Sequence, residues 1–449
     1  MIRVRTVDDD QNNGNGGLAM KPRYWFRWAS AQGVPRLAMK AYAKRGDPLA
    51  QLFGSPPVAD DPYPVIESIR ARGRLVRTPL AWVTTEHDLC RTILRDNDMG
   101  VRASENLDVP RPMRRLRDRA SLPPNPVEPP SMLVIDPPAH SRMRRPVSAA
   151  FTPRAIGRLR DRVETVTEEL LDALPSDGSV DLVSDFAAQV PIAIISELLG
   201  FPDDARDRFL GWGDAMTPLL DIGLPWGHYR DAIVAMHEMD KYAAGHLARL
   251  RATPGEDMLS ALVSAGELDD HELKATASLL MGAGFETTVN LIGNAVVQLL
   301  AHPEQLARLR EEPDLWPNAV EEVLRFDAPV QNTGRVTLKE VEYEGIQLRQ
   351  GVMVALSLAG ANRDPQVFDD PNTFDITRAN AKEHLTFSTG IHACLGASLA
   401  RMEAAHALRA LFERFPDLKL AGPPRRRPLF TLHGYSHMLV RLSAPSACR

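Results

Sequence analysis

One stretch near the carboxyl end of the sequence contains the residues that decide the fold. It runs from His384 to Glu403 and reads HLTFSTGIHACLGASLARME. Its centre is Cys394, with Gly390 and Gly396 on either side, and a glycine lets the backbone approach another group closely. The spacing predicts a tight loop that presents one thiolate to a large, flat ligand.

A helix is predicted to begin directly after this loop, at Ala397. The apolar residues that recur there at helical spacing are Leu399, Met402, Ala405, Leu408, Leu411 and Phe412. The positive end of such a helix would point towards Cys394 and favour the ionised form of its side chain. We therefore expect a thiol with a low pKa.

A single cysteine in an intracellular protein is more often a small buried hydrophobic residue than a ligand. That alternative explains Cys394 but not the residues that frame it, which are Phe387, Gly390, His392 and Gly396. Together the five residues resemble the cysteine loop of the cytochrome P-450 haem-thiolate monooxygenases. The resemblance implies that Cys394 is the axial iron ligand, that Phe387 lies against the sulfur side of the haem, and that His392 reaches a haem propionate.

Composition restricts the classes of protein that remain possible. The chain has 449 residues, 44% of them hydrophobic, and a net charge of -5 at pH 7, so it can bury a large core but lacks the positive charge that nucleic acid attracts. Three cysteines, Cys90, Cys394 and Cys448, are too few for a disulfide framework. No apolar run is long enough for a membrane span, and the N-terminus lacks the apolar core of a secretory signal. We expect a cytoplasmic protein with small-molecule partners.

The first 19 residues are polar and rich in glycine, which predicts a disordered leader. Residues 20–449 are predicted to form a single domain, because no break in composition divides them and the sheet is expected to take strands from both halves of the chain. The segment Lys21 to Trp28 mixes basic and aromatic residues. We favour its packing on the domain over an interfacial membrane helix, so membrane association is not expected.

Nine prolines lie between Val109 and Pro138 and predict a long loop, which is a candidate substrate lid. The basic residues of this loop are Arg111, Arg114, Arg115, Arg117 and Arg119. They are most simply a solvated basic face, and an anionic-substrate or partner site is the alternative.

A short helix is predicted after Asp136, because two prolines follow that residue. His140 and Arg144 are four residues apart and share one face of this helix, so they could hold two carboxylates; a pair on the helix surface is the alternative. The pattern resembles the propionate-binding helix of the family. The resemblance also assigns Arg335, at the start of a predicted strand, to a haem propionate.

A second informative stretch, from Leu268 to Pro303, is predicted to be a helix of about 30 residues that spans about 45 Å. Its middle, from Met281 to Thr288, reads MGAGFETT. Each glycine there costs up to about 1 kcal/mol of helix stability. Close packing against another helix would be one reason to keep them.

The resemblance supplies a second reason, because these residues match the oxygen-activation motif of the family. It implies that Ala283 and Gly284 border the haem and that Gly284 leaves room for dioxygen. Thr287 would then widen the helix and relay protons that Glu286 or water brings. Glu286 stands where many members have aspartate.

Glu322 and Arg325 are three residues apart among apolar neighbours, so they are predicted to pair. The family pattern adds Arg378. We predict that the three form one buried network that holds the cysteine loop in place.

The resemblance covers about residues 60 to 442, and it is closest to soluble bacterial members, particularly actinobacterial and mycobacterial ones. It implies a mainly α fold with a small β-rich region and haem b (iron protoporphyrin IX) between the Gly284 helix and the Cys394 loop. The implied reaction inserts one oxygen atom of O2 into a small hydrophobic organic substrate. Only 55 residues follow Cys394. These are too few for a flavin or iron-sulfur domain, so a ferredoxin and a ferredoxin reductase are expected to supply electrons.

Other classes of protein account for fewer of these residues. A haem sensor or carrier gives no reason for Glu286 and Thr287. A Cys-His hydrolase would need His392 or His384 as its base, and the sequence contains no evident oxyanion motif. Within the family, a peroxide-driven enzyme usually departs from the acid and threonine pair, so we favour dioxygen as the oxidant.

Overall fold

The computed structural model describes residues 21–54, 58, 60–101 and 122–443. The predicted leader, the arginines between 111 and 119, and Cys448 lie outside these residues. The helices are α1 (Pro22–Trp28), α2 (Val34–Lys44), α3 (Pro48–Gly54), α4 (Tyr63–Arg70), α5 (His87–Arg95), α6 (Ala139–Ser148), α7 (Pro153–Gly157), α8 (Arg160–Ala173), α9 (Gln189–Leu198), α10 (Arg206–Met216), α11 (Trp226–Ala252), α12 (Met258–Ala265), α13 (Asp270–Ala301), α14 (Pro303–Glu311), α15 (Trp316–Phe326), α16 (Leu358–Ala361) and α17 (Ala397–Arg414).

The strands are short and form small sheets. They are β1 (Val76–Arg77), β2 (Trp82–Thr84), β3 (Met99–Gly100), β4 (Asp177–Asp181), β5 (Asn332–Thr337), β6 (Val341–Tyr343), β7 (Ile346–Leu348), β8 (Met353–Ser357), β9 (Lys419–Leu420), β10 (Arg425–Arg426), β11 (Tyr435–His437) and β12 (Leu439–Ser443). The largest sheet has the order β1-β2-β8-β5-β3 and therefore takes strands from both halves of the chain, as predicted. The predicted fold class, mainly α with a small β-rich region, is confirmed.

The pairing of β5 with β8 fixes the position of Arg335, a predicted site residue on β5. β5 and β8 are antiparallel, with Arg335 opposite Val354, and β8 is parallel to β2, with Val354 beside Trp82. A strand between two partners is held on both edges by hydrogen bonds, so its side chains have fixed positions. Arg335 is therefore carried on a rigid element.

The sequence from Leu429 to Leu442 is typical of a hairpin that turns near His433, but this expectation is wrong. β11 pairs with β10 instead, and β12 pairs with β4 and β9. The alternation of apolar residues identified strands here but could not identify their partners, because pairing depends on distant segments of the chain. β4 comes from the first half of the chain, so β12 still connects the two halves.

The long helix α13 follows its sequence signals closely. Asp269 caps it by accepting from the Glu272 amide, and the Glu272 side chain accepts from the Asp269 amide in return. The helix has 32 residues, which corresponds to about 48 Å, and it ends before Pro303. Most of its residues are buried in the main core, together with residues of α9 and α17. No helix in the described part of the chain combines the length and the apolar character that crossing a bilayer requires.

Candidate active site

The loop around Cys394 is held by its own backbone. The Cys394 amide donates to the Phe387 carbonyl over 2.9 Å, and the Ser388 amide donates to the Leu385 carbonyl over 2.7 Å. Ser388 has a φ of 57°, a left-handed conformation that non-glycine residues seldom adopt. The loop therefore has one defined shape, which ends where α17 begins at Ala397.

The two glycines of the loop have different roles. Gly390 has a φ of 73°, and a Cβ there would lie 2.5 Å from the Leu94 carbonyl oxygen of α5. Gly390 is thus needed for the conformation and for close packing. A Cβ at Gly396 would meet no atom within 4 Å. The sequence predicted space beside the sulfur for a flat ligand, and the structure has open space at Gly396.

The expectation of a low thiol pKa at Cys394 is wrong for the protein chain by itself. The sulfur is accessible from one side, but protein surrounds the rest of it, and burial raises the thiol pKa. The amides of Gly396 and Ala397 and the guanidinium groups of Arg144 and Arg401 lower it by less. Helix direction alone could not decide this result, because the cost of burial depends on the tertiary structure. A metal cation bonded to the sulfur would favour the thiolate directly.

The predicted network of Glu322, Arg325 and Arg378 is confirmed. Both carboxylate oxygens of Glu322 accept from Arg325 over 2.7 Å, and Arg378 lies 3.3 Å away. The side chains of Glu322 and Arg325 are fully buried. Arg325 also donates to the carbonyl of Asn362, whose side chain accepts from the Leu385 amide over 2.7 Å. The network is thus connected to the start of the cysteine loop.

A second clamp on the loop was not predicted. Glu321 accepts from His384 over 3.0 Å and from Arg401 over 2.6 Å, and these two partners precede and follow Cys394. The Arg401 guanidinium carbon lies 4.5 Å from the centre of the Phe387 ring. Burial pushes the pKa of Glu321 upwards, but the hydrogen bonds from His384 and Arg401 lower it overall. The sequence did contain a signal for this clamp, namely the adjacent acids Glu321 and Glu322. Neighbouring residues of a helix point in different directions, so the two acids contact different partners.

Basic side chains converge beside the loop from three separate elements. His140 and Arg144 come from α6 and Arg335 from β5, whereas His392 belongs to the loop itself. The rings of His140 and His392 lie 4.3 Å apart between centroids. Arg144 donates to the carbonyl of Ala393, next to Cys394. The structure therefore brings together the four residues to which the resemblance assigned haem propionates.

The electrostatics of this basic cluster indicate that it suits anions. Burial, together with His140, Arg335 and Arg144, lowers the pKa of His392 to about 3, and burial lowers the pKa of Arg335 to about 10. Neither ring nitrogen of His140, nor Nε2 of His392, has a hydrogen-bond partner among the described residues. Buried polar groups without partners are costly, and carboxylates placed here would accept from them.

These residues fit a haem group. The four residues of the basic cluster would hold the two propionates, and Cys394 would be the ligand of the iron. Among the described residues, no three His, Cys, Asp or Glu side chains are grouped as metal ligands. A metal at Cys394 would therefore take its other ligands from a non-protein group, as haem iron does.

The middle of α13 shows a packing role for one glycine. A Cβ at Gly284 would lie 2.9 Å from a side-chain carbon of Ile195 in α9, so the absent side chain permits close helix packing. Ala283 is exposed, and the Thr287 hydroxyl donates to its carbonyl over 3.1 Å. The helix continues without interruption through these residues, so the expected widening at Thr287 is not seen.

Glu286 and Thr287 lie on different sides of α13. Glu286 is 3% exposed and faces α10, where a Cβ at Gly213 would lie 3.2 Å from its Oε1. Its Oε2 lies 3.6 Å from Arg427 and has no hydrogen-bond partner among the described residues. Burial raises the pKa of Glu286 to about 7, although Arg427 lowers it in part. The two residues are thus not in contact, and a proton passing between them would need an intermediate group.

A further buried acid, Glu403, received no role from the sequence. It is 1% exposed, its pKa is raised to about 8 by burial and lowered in part by a hydrogen bond from Thr288, and its Oε2 has no partner among the described residues. Burial thus favours the protonated form of Glu403 at neutral pH, and this α17 side chain lies beside Thr288, the residue that follows Thr287 in α13. Its position six residues into the helix after the loop was visible in the sequence, but its burial was not.

Comparisons with known proteins agree with this geometry. A family model described as Cytochrome P450 matches residues 214–438. A Mycobacterium tuberculosis protein named cytochrome P450 140 is 45% identical over 428 residues, which cover 93% of this chain and 97% of that protein. The Vitamin D(3) 25-hydroxylase of Pseudonocardia autotrophica is 42% identical over 309 residues, covering 68% and 74%.

Solved structures show the same fold. P450BioI, in complex with an acyl carrier protein that bears hexadec-9Z-enoic acid, matches with a TM-score of 0.78 and 32% identity, covering 86% of this chain and 100% of that one. Family, relatives and structures therefore agree. The chain belongs to the cytochrome P450 family and is a bacterial haem-dependent monooxygenase.

Proposed function

We propose that this protein uses haem b, bound through Cys394, to insert one oxygen atom of O2 into a small hydrophobic substrate. The observation that carries the proposal is the buried basic cluster of His140, Arg144, Arg335 and His392 beside Cys394. Two arginines and two histidines suit the two carboxylates of a protoporphyrin, and the histidines have ring nitrogens without a partner among the described residues.

The bound haem would supply the oxygen and electron-transfer chemistry, and its thiolate ligand favours O–O cleavage. The protein residues hold the reactants and move protons. Arg401 lies over the Phe387 ring, and its charge favours the thiolate form of Cys394. The Glu322 network anchors the loop before Cys394, and Glu321 anchors it on both sides, so the two together fix the position of the sulfur.

Proton supply is assigned to α13. Thr287 is half-buried on this helix, and its hydroxyl donates to the Ala283 carbonyl. A water beside it can receive a proton and pass it on. Glu286 and Glu403, with pKa values raised to about 7 and about 8, can both carry protons at neutral pH.

An apolar substrate is proposed from what two similar proteins bind or act on. The names of two relatives, a vitamin D(3) hydroxylase and a structure with a bound fatty acyl group, agree with an apolar substrate.

Electrons are proposed to come from a ferredoxin and a ferredoxin reductase, because the family implies separate electron-transfer partners. We place the reaction in the cytoplasm, since the described cysteines, Cys90 and Cys394, are free thiols.

The spectrum of the reduced, carbonyl-bound protein tests the ligand. Thiolate ligation should give a strongly red-shifted Soret band, and Cys394→Ser should abolish that band. Cys90→Ser is the matched control, because Cys90 is buried in α5 and forms no part of the basic cluster. An unshifted band in the unmodified protein would disprove the haem-thiolate proposal.

The basic cluster has its own test. The double variant Arg335→Leu, His140→Leu should weaken haem retention during gel filtration and leave the fold intact by far-UV circular dichroism. Full haem retention in that variant would show that the cluster does not hold the propionates.

A further inference from the structure

We propose that the N-terminal helices dock on the surface of an anionic lipid bilayer. The surface consists of the exposed residues Trp25, Phe26, Val34, Leu37 and Ile222, here called the N-terminal apolar face. The sequence led us to expect that Lys21 to Trp28 only packs on the domain. That expectation holds for Tyr24, which is fully buried, but Trp25 and Phe26 are 46% and 47% exposed.

The apolar residues share one side of a continuous helix. α1 and α2 are joined by a π-helical turn, Ala29–Gly33, so the backbone is helical from Pro22 to Lys44. One side of it, with Tyr24 and Met39, is buried against the protein. Val34 and Leu37 are 61% and 69% exposed, and they are one helical turn apart on the opposite side. Large exposed apolar side chains on one helical face are typical of a binding surface.

A loop between α10 and α11 extends this surface. Ile222 in the loop is 49% exposed. The neighbouring Gly223 donates to the Gln32 side chain over 2.6 Å and accepts from Arg36 over 2.8 Å, and Trp28 donates to the Leu224 carbonyl over 2.8 Å. Helix and loop are thus tied together, so the face is a fixed part of the fold.

Charge identifies the partner. Residues 21–46 contain seven basic and no acidic residues, whereas the whole chain has a net charge of -5. The exposed basic residues of this segment are Lys21, Arg23, Lys40, Lys44 and Arg45. Basic residues beside tryptophan and phenylalanine are typical of helices that lie in a membrane interface, with the rings at the headgroup level. A bilayer rich in anionic headgroups satisfies both the charge and the apolar face.

Co-sedimentation of the full-length haem protein with vesicles tests the proposal. The protein should bind phosphatidylglycerol-containing vesicles, should bind pure phosphatidylcholine vesicles at least ten-fold more weakly, and should dissociate as salt rises. Lys40→Ala with Lys44→Ala should weaken binding by about twenty- to thirty-fold, since each basic residue near the surface contributes about five-fold. Trp25→Ser with Phe26→Ser should weaken it at least ten-fold.

Matched control variants separate this face from general adhesion. Leu439→Ser with Lys419→Ala removes one exposed apolar and one exposed basic side chain on β12 and β9, and should bind like the unmodified protein. Trp25→Phe should still bind, but tryptophan quenching by brominated lipid should fall by more than half.

Three results would overturn the proposal. One is failure of the unmodified chain to bind anionic vesicles at low salt. A second is equal loss of binding in the control double variant. The third is self-association in sedimentation velocity that Trp25→Ser with Phe26→Ser abolishes, because a second copy of the chain would then be the partner.

Discussion

The two sides of the site treat buried charge in opposite ways. On the Cys394 side, Glu322 and Glu321 are surrounded by cationic partners at hydrogen-bond distance. On the α13 side, Glu286 and Glu403 are as deeply buried, yet each has an oxygen without a partner among the described residues. Hydrogen-bond partners hold the pKa of Glu321 below its usual value, whereas burial without them raises the pKa of Glu286 to about 7 and that of Glu403 to about 8.

The difference follows from what each side must do. A paired carboxylate stays ionised and fixes geometry, which a metal ligand loop requires. An unpaired buried carboxyl changes its protonation near neutral pH, which proton delivery requires. Rigidity and proton transfer thus make opposite demands on the same functional group. The following predictions test that contrast, from the largest expected effect to the smallest.

Removing the charge of Glu322 should have the largest effect on stability. Glu322→Gln leaves Arg325 and Arg378 buried without their anion, so we expect a loss of about 3–5 kcal/mol in the free energy of unfolding and poor haem incorporation. Urea unfolding and haem content measure the two effects. Glu413→Gln is the control, because that exposed pair with Arg409 contributes at most about 0.5 kcal/mol. Similar losses in both variants would contradict the special role of the buried network.

Glu403→Gln should act through pH. Because the folded pKa of about 8 lies above the usual 4.5, the folded state holds an extra proton between these values, and stability is lost as pH rises through that window. The loss is up to about 1.4 kcal/mol per pH unit, and the variant should lack it. Urea unfolding of both proteins from pH 5 to pH 8 measures the difference. Parallel curves would show that Glu403 is paired by a group not yet identified.

Thr287→Ala should uncouple the reaction without affecting binding. Haem, substrate and dioxygen do not need the hydroxyl, but directed proton transfer does, so most reductant should yield hydrogen peroxide instead of product. Product and peroxide per reductant consumed are measured once a substrate is found. Thr276→Val serves as the control, since its hydroxyl is buried in the same helix and has no hydrogen-bond partner among the described residues. Unchanged coupling in Thr287→Ala would reduce that residue to a helix-packing role.

Glu286→Gln should have the smallest effect, a slower turnover with an altered pH profile. With a pKa near 7, the proton on Glu286 is progressively lost between about pH 6 and pH 8, so the rate of the unmodified enzyme should fall across that range. The glutamine variant should be slower and independent of pH there. Glu286→Asp retains the acid and should retain a pH dependence, and an unchanged pH profile in Glu286→Gln would exclude Glu286 as the titrating group.

Short-range chemistry was sufficient for several features of this protein. Glycines at both sides of Cys394, the capping box of α13 and the three-residue spacing of Glu322 and Arg325 each depend on local backbone geometry. Local geometry repeats wherever the same residues occur, so it can be read from one sequence. The family resemblance then supplied Arg378, which lies too far along the chain for any spacing argument.

Only the tertiary structure decided the protonation states and the pairings. The thiol pKa of Cys394, the different sides taken by Glu286 and Thr287, and the partner of β12 all depend on which distant segments surround them. The same holds for the neighbours Tyr24 and Trp25, because Tyr24 is buried and Trp25 is exposed. Burial sets the desolvation cost of a charge, and burial is a property of the assembled chain.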